Sequence, residues 1–225
     1  MKVPNGQSLS SGDLKVRVIG ELVPIVEVEL PQGESVYFEH HTILSKDPAV
    51  AITAKALGSG LGRRMIAGLP LIVVEAAGPG MVGLSRDGAG EVIVLELSGH
   101  EIDVPEHRFL FATSGVSYGY TRVKGFANIF GSGTGFFMDR FAGSGLLALH
   151  GYGNVVEREL ASGEAIDLEP SAWLYKDANV GMDTYVTRIS TGLLGGVSLW
   201  MTRFTGPGRL AYQSLTPIMA APSQA

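Results

Sequence analysis

The sequence predicts an all-β protein built from three similar sandwich-like units around a pseudo-threefold axis. Two observations lead to this prediction: a block of alternating apolar residues occurs three times, and a glycine turn follows each copy at a nearly constant distance. A third is the abundance of glycine, at 31 of 225 residues. Many glycines among Val, Leu, Ile and Phe are typical of short strands joined by tight turns.

The first repeated block begins at Gly33, Gly99 and Gly163, which are 66 and 64 residues apart. Its copies read GESVYFEHHTILS, GHEIDVPEHRFLF and GEAIDLEPSAWLY. Apolar side chains alternate along each copy, which indicates a strand with one buried face. The equivalent apolar positions are Val36, Ile102 and Ile166, then Phe38, Val104 and Leu168, then Ile43, Phe109 and Trp173.

The second block contains a glycine turn and reads GLPLIVVEAAGPGMVGL, GTGFFMDRFAGSGLLAL and GVSLWMTRFTGPGRLAY. Its turn glycines are Gly78 and Gly80, Gly143 and Gly145, and Gly206 and Gly208. Two blocks that keep the same offset three times predict a structural unit of about 64 residues. We therefore predict a single domain, 1–225, made of three repeats at about 26–97, 98–161 and 162–217.

The glycine-rich stretch FGSGTGFFMDRFAGSG, which starts at Phe130, resembles a phosphate-binding loop only in composition. A Walker loop requires a Lys followed by Ser or Thr after its last glycine, and then a helix. This stretch has no such Lys, and its third copy, LGGVSLWMTRF, does not keep the same glycines. The pattern favours strand and turn over nucleotide binding.

The composition of the chain disfavours or excludes several classes of function. A net charge of −5 disfavours nucleic-acid binding, which needs clustered Lys and Arg. The chain has no cysteine, which excludes disulfides and thiolate chemistry. No apolar run reaches the roughly 18 residues of a membrane span, and no secretory signal is recognisable, so we expect a cytoplasmic protein. The low charged fraction of 17% suggests a surface partly covered by a partner or another subunit.

One candidate binding site follows from the alignment of the repeats. Glu34, His100 and Glu164 occupy equivalent positions. If these turns face the pseudo-threefold axis, two carboxylates and an imidazole would converge and could hold a divalent metal. The alternative is that each is a solvated turn residue.

A second set of equivalent positions consists of Glu75, Arg140 and Arg203. We interpret them as ion pairs between repeats that would set the register of the units; the alternative is a ligand-anchoring arginine. Asp103 and Asp167 alternate with apolar residues and are therefore expected to face solvent.

The motif formed by the second block resembles the mitochondrial-biogenesis family named altered inheritance of mitochondria twenty-four. The residues that carry the resemblance read GFFMDRFAGSG and SLWMTRFTGPG, with a first-repeat version GLGRRMIAGLPLIVVEAAGPG that has Ala76 where the others have Phe. The resemblance covers roughly 26–217. It implies TRAP-like β-sandwich repeats, similar to the tryptophan RNA-binding attenuation protein, and no established enzyme activity.

These observations predict a non-enzymatic scaffold or binding protein that acts through protein–protein contacts or as a homo-oligomer. We find no catalytic constellation and expect no cofactor. The alternative is a protein that binds a small ligand or a divalent metal. RNA binding is a third possibility raised by the fold, although the few basic residues are scattered and fold alone does not determine function.

Overall fold

A computed structural model describes residues 6–11, 13–55, 73–123, 136–190 and 196–216. Within these residues the chain is nearly all β, with one short 3-10 helix at His40–Thr42. This confirms the predicted all-β fold class. The predicted segments that fall in 56–72 and 124–135, including the first residues of the stretch from Phe130, lie outside the described residues.

The strands follow one another along the chain in four groups. The N-terminal hairpin consists of β1 (Ser8–Ser11) and β2 (Leu14–Ile19). The next group is β3 (Ile25–Leu30), β4 (Ser35–Glu39), β5 (Ile43–Lys46), β6 (Ala51–Ala54), β7 (Val73–Ala77) and β8 (Gly80–Ser85). Then come β9 (Gly90–Ser98), β10 (Ile102–Pro105), β11 (Phe109–Thr113), β12 (Val116–Val123) and β13 (Phe136–Tyr152). The last are β14 (Val155–Leu160), β15 (Ala165–Leu168), β16 (Trp173–Asp177), β17 (Gly181–Ser190), β18 (Gly196–Thr205) and β19 (Gly208–Gln213).

These strands form three antiparallel sheets. The first has the order β1-β2-β3-β8-β5, and the smallest has the order β15-β18-β17. The largest follows the path β14-β19-β16-β10-β13-β11-β4-β7-β6. Its central strand, β13, is 17 residues long. The first half of β13 pairs with β10 and β12, and the second half pairs with β11 and β9.

Strands at equivalent positions of the three predicted repeats pair in the same way. β4 pairs with β7, β10 with the first half of β13, and β15 with β18. β5 pairs with β8, β11 with the second half of β13, and β16 with β19. Each of the latter three ladders shifts its register after the first pair, as a β-bulge does. The repeat boundaries and the pseudo-threefold axis stay predictions.

Three hydrophobic clusters lie between the sheets. The first joins β2, β3 and β8 to one face of β4, β9 and β11, and includes Val36 and Phe38. The second lies on the opposite face of β4 and includes Tyr37. Consecutive side chains of a strand point to opposite faces, so both faces of this strand are buried. The third cluster surrounds Trp173 and Phe204 and lies against one face of the β15-β18-β17 sheet.

Each copy of the second block contains a Gly-x-Gly turn. The second glycines, Gly80, Gly145 and Gly208, have φ angles of 135°, 141° and 136°, which side chains rarely adopt. At the first glycines a Cβ atom would overlap a backbone carbonyl oxygen of a neighbouring turn; these are Gly78, Gly143 and Gly206. Each turn therefore requires glycine at both positions.

Candidate functional site

The three turn residues singled out as a metal site have separate contacts. Glu34 is exposed. His100 contacts Arg209 through Nε2, and Oε2 of Glu164 accepts a hydrogen bond of 2.9 Å from the backbone amide of Ala161. Among the described residues no group of three or more His, Asp or Glu side chains could hold a metal ion. The structure therefore does not bring Glu34, His100 and Glu164 together as such a group.

Arg140 and Arg203 form ion pairs within a repeat rather than between repeats. Arg140 binds Asp103 through Nε–Oδ1 and Nη2–Oδ2 distances of 2.7 and 3.0 Å. Arg203 binds Asp167 through two distances of 2.8 Å. Each arginine lies directly opposite its aspartate in an antiparallel ladder, where side chains on one face meet. The interpretation as inter-repeat pairs is thereby corrected to cross-strand pairs.

Glu75 also finds its partners inside its own repeat. It lies opposite Tyr37 and accepts hydrogen bonds from Ser35 Oγ at 2.8 Å and from Lys55 Nζ at 3.4 Å. The Lys55 ammonium also lies 4.6 Å from the centre of the Tyr37 ring. In the first repeat, a Tyr–Glu pair thus takes the place of the Asp–Arg pairs.

One of the contacts that link the predicted second and third repeats is made by Lys176. Its Nζ donates to Oδ2 of Asp103 at 2.8 Å, and both side chains are almost completely buried. Asp103 is 1% exposed, which corrects the expectation that it faces solvent. Burial would raise the pKa of Asp103, but the hydrogen bonds from Arg140 and Lys176 together outweigh burial and lower it.

A second buried polar cluster joins the first two repeats. Arg86 follows β8, and its Nη2 pairs with the carboxylate of Glu39 and donates to the backbone oxygen of Phe109 at 2.6 Å. Arg108 and His150 lie beside it, 5% and 0% exposed. The backbone amide of His150 donates to the carbonyl of Arg108 at 2.8 Å. Four separate segments of the chain therefore contribute two guanidinium groups, one carboxylate and one imidazole to this cluster.

The charges in this buried cluster do not balance. Glu39 pairs with Arg86, whereas no carboxylate in the described part of the chain forms an ion pair with Arg108. Arg108 instead lies 4.8 Å from the Tyr152 ring centre and donates through Nη1 to the backbone oxygen of His107 at 3.4 Å, while its Nε lacks a partner among the described residues. Burial lowers the pKa of Arg108 to about 10, and Arg86 contributes in the same direction. A buried cation without a counter-charge favours an anion beside it.

Neither ring nitrogen of His150 has a hydrogen-bond partner among the described residues. Burial and the positive charges of Arg86 and Arg108 lower its pKa to about 4, against a weaker opposing effect of Asp87. Its ring meets the Tyr152 ring edge-on at 4.9 Å. We name Glu39, Arg86, Arg108 and His150 the buried arginine–histidine cluster.

The predictions from the sequence do not include this cluster. Its members come from separate strands and loops, and no spacing pattern connects them. The one local signal is His150 itself, which interrupts the apolar run LLALHGY. A polar residue in a strand that is otherwise apolar on both faces indicates a buried polar contact.

Exposed apolar side chains occur on both faces of the hairpin of β17 and β18. Val186 lies directly opposite Trp200, and they are 39% and 36% exposed; Leu199 is 46% exposed. On the same face as Trp200, but closer to the end of the hairpin where Gly181 pairs with Thr205, Thr202 and Phe204 are fully buried. Burial therefore falls along the hairpin, whose far end extends beyond the third hydrophobic cluster. We name Val186, Leu199 and Trp200 the apolar ribbon.

Comparison with known proteins identifies the family. The model of the family described as mitochondrial biogenesis AIM24 matches residues 16–215. The chain belongs to this family. An uncharacterised protein of Streptococcus pyogenes serotype M6 is 26% identical over 207 residues, covering 85% of this chain and 82% of the relative. The resemblance inferred from the glycine-turn motif is thus confirmed.

The fold is also similar to that of a crystal structure of another Streptococcus pyogenes protein. The TM-score is 0.68 at 21% identity, with 90% of this chain and 94% of the other covered. In the described part of the AIM24-family chain, no helix is long and apolar enough to cross a membrane.

Proposed function

We propose that this AIM24-family protein is a non-enzymatic scaffold that binds a protein partner through the apolar ribbon. The observation that carries the proposal is the exposure of Trp200 beside Val186 at the end of a hairpin. Large apolar side chains exposed together mark interaction surfaces, and tryptophan is among the residues that contribute most to binding energy. The family description, a role in mitochondrial biogenesis rather than a reaction, supports this choice. The cytoplasmic location expected from the sequence remains part of the proposal.

The geometry of the hairpin suits it for this role. Strand pairing runs from Gly181 opposite Thr205 to Ser190 opposite Gly196, so the backbone of the far end is held by ladder hydrogen bonds. A rigid backbone that presents an aromatic side chain loses little entropy on binding. Val186 and Trp200 share one face, while Leu199 lies on the other face, so a partner can contact either side of the hairpin.

Replacing Trp200 with alanine is expected to weaken partner binding by about 2 kcal/mol, roughly thirtyfold in affinity, because a central aromatic anchor is lost. A photoreactive amino acid is placed at position 186, directly opposite Trp200, of the full chain in cells, and in a control at exposed Glu159. We expect a discrete crosslinked protein from position 186, displaced by excess unlabelled wild type but not by Trp200→Ala. Equal displacement by both proteins, or equal crosslinking at both positions, contradicts the proposal.

A second candidate function rests on the buried arginine–histidine cluster. Its uncompensated Arg108 and unpaired His150 are suited to a small carboxylate or phosphate, which would supply the missing negative charge. This is a small-ligand site, as the alternative from the sequence expects, but at residues other than Glu34, His100 and Glu164.

Anion binding at this cluster is expected to raise the melting temperature of the wild-type chain in sodium acetate relative to sodium chloride of equal ionic strength. A ligand at one hundred times its Kd stabilises by about 2.7 kcal/mol. Arg108→Met removes the unpaired cation and serves as the matched control. We expect the acetate response to disappear in Arg108→Met, and an identical response in both proteins rules the site out.

A further inference from the structure

Two junctions inside the chain join neighbouring repeats by the same strand pairing. β11 pairs with β4, with Ala112 opposite Tyr37. β16 pairs with β10, with Lys176 opposite Asp103. In the alignment of the repeats, β5, β11 and β16 are equivalent, and so are β4, β10 and β15. At each junction, a strand from the set β5, β11 and β16 thus pairs with the strand from the set β4, β10 and β15 that belongs to the preceding repeat.

β5 from the first set and β15 from the second set take part in neither of these two junctions. β5 ends the first sheet, where its described neighbour is β8. β15 ends the smallest sheet, where its described neighbour is β18. These two strands belong to separate sheets and do not pair with each other. Among the described strands, β5 and β15 therefore each leave one edge unpaired.

The free edge of β5 exposes side chains that are buried at the internal junctions. Leu44 is 59% exposed, whereas the equivalent Leu110 and Leu174 are 1% and 0% exposed. Lys46 is exposed, whereas its equivalent Lys176 is 4% exposed. An exposed edge strand is a template for pairing with another chain.

Charge on the two edges is complementary in the register of the internal junction. In the junction inside the chain, Lys176 of β16 lies opposite Asp103 of β10. If β5 paired with β15 in the same register, Lys46 would lie opposite Asp167. Lys46 Nζ donates to the backbone oxygen of the next residue at 3.2 Å, and Lys176 Nζ does the same at 3.4 Å. Lys46 Nζ also donates to the backbone oxygen of Val50 at 3.0 Å, where Lys176 instead donates to Asp103.

Asp167 and Asp103 have similar hydrogen-bond partners. It receives two hydrogen bonds from Arg203, and Asp103 receives two from Arg140. At Asp103 the lysine of the next repeat completes the arrangement, whereas at Asp167 the further donor is the Tyr185 hydroxyl, at 2.8 Å. A carboxylate oxygen can accept from more than one donor, so Asp167 retains capacity for Lys46.

We propose that β15 of one copy of this chain pairs with β5 of a second copy, antiparallel and with Asp167 opposite Lys46. The contact repeats between chains the junction that already joins repeats inside the chain. Because the two surfaces differ, the association is head to tail, and each copy can bind a neighbour at either edge; such contacts close into a ring or extend as a filament. This inference does not depend on the apolar ribbon, which lies on different residues.

Cysteine crosslinking tests the pairing directly, because the chain contains no cysteine of its own. Full-length Lys46→Cys and Asp167→Cys chains are purified separately, mixed and mildly oxidised, then separated on a non-reducing gel. Directly opposite strand residues are close enough for a disulfide. We expect mixed disulfide-linked dimers well above the background given by each variant alone, and a ladder of multimers from the variant that carries both cysteines.

Two control pairs define the outcomes. Lys15→Cys mixed with Glu159→Cys, both exposed strand residues of opposite charge, gives the level of random collision. Lys15→Cys and Glu29→Cys in one chain lie directly opposite on β2 and β3 and report that cross-strand disulfides form. Crosslinking of Lys46→Cys with Asp167→Cys no higher than the random level overturns the proposal. A monomeric doubly substituted chain that has lost two hydrogens also overturns it, because the edges then meet within one chain.

A charge reversal gives a second readout without oxidation. Lys46→Glu would face Asp167 across the junction and is expected to shift the assembly seen by native mass spectrometry toward monomer. Lys15→Glu is the control and is expected to leave the mass distribution unchanged. An unchanged distribution in Lys46→Glu, or an equal shift in Lys15→Glu, contradicts the pairing. Neither result depends on Trp200, so failure here is distinguishable from failure of the ribbon proposal.

Discussion

Replacing Asp103 with alanine is expected to lower the free energy of unfolding by about 3–5 kcal/mol, the cost of breaking a buried ion pair from one side. Lys176 donates to Asp103 and is itself 4% exposed, so the variant leaves its ammonium buried without a counter-charge. Arg140 is affected less, since its side chain is 34% exposed and also reaches Glu101 at 3.3 Å. Denaturant unfolding of the two proteins measures the difference.

Asp167→Ala is the matched control. Asp167 occupies the equivalent position and also holds an arginine, but the Arg203 side chain is 51% exposed and can be solvated once its partner is lost. We expect a much smaller loss of stability there, because exposed ion pairs contribute little. A loss in Asp167→Ala equal to that in Asp103→Ala would show that burial of Lys176 is not the cause.

A double substitution tests whether the stability lost in the Asp103 variant comes from the ion pair between Asp103 and Lys176. In Asp103→Asn with Lys176→Met, no buried cation remains without a partner, so part of the lost stability should return. If the double variant is as unstable as the sum of the single variants, Asp103 and Lys176 are not coupled, and the junction between the second and third repeats is held by other contacts.

The sequence predicts the fold class because its signals are local. Alternation of apolar residues defines β4, β10 and β15, and glycine marks each turn. The cross-strand partners of Arg140 and Arg203 are not local, because they depend on which strands pair and in which register. The alignment brings Asp103 and Asp167 into equivalent positions, but only the ladders of β10 and β15 show that each faces an arginine of its own repeat.

Burial of Asp103 shows why a strand pattern can mislead. Alternation assumes that one face of a strand is covered and the other meets water. β10 lies between β13 and β16, and all four of its residues are buried. Asp103 accepts hydrogen bonds from Arg140 on β13 and from Lys176 on β16, and a charged residue that is buried in this way must be paired. No property of the isolated segment indicates which strands occupy such central positions.

The buried arginine–histidine cluster leads to the second large expected effect, on the pH dependence of stability. In the folded chain His150 has a pKa of about 4, lowered first by burial and then by Arg86 and Arg108, whereas an exposed histidine titrates near 6.5. Between these values the unfolded chain binds a proton that the folded chain does not. Stability contributed by neutral His150 is therefore complete above about pH 6.5 and is lost as the pH falls toward 4, by about 3 kcal/mol in total.

His150→Leu removes this titration, so its free energy of unfolding should decline less steeply than that of the wild type between pH 6.5 and 4. Denaturant unfolding at several pH values gives both profiles, and their difference isolates His150, because His41, whose pKa is also lowered by burial, is present in both. Arg108→Met should give an intermediate slope, since one of the two charges that oppose protonation is gone. Parallel profiles for wild type and His150→Leu would mean that His150 is protonated as readily in the folded chain as in the unfolded one. The enclosed, cationic environment on which the proposed anion site also rests would then be absent.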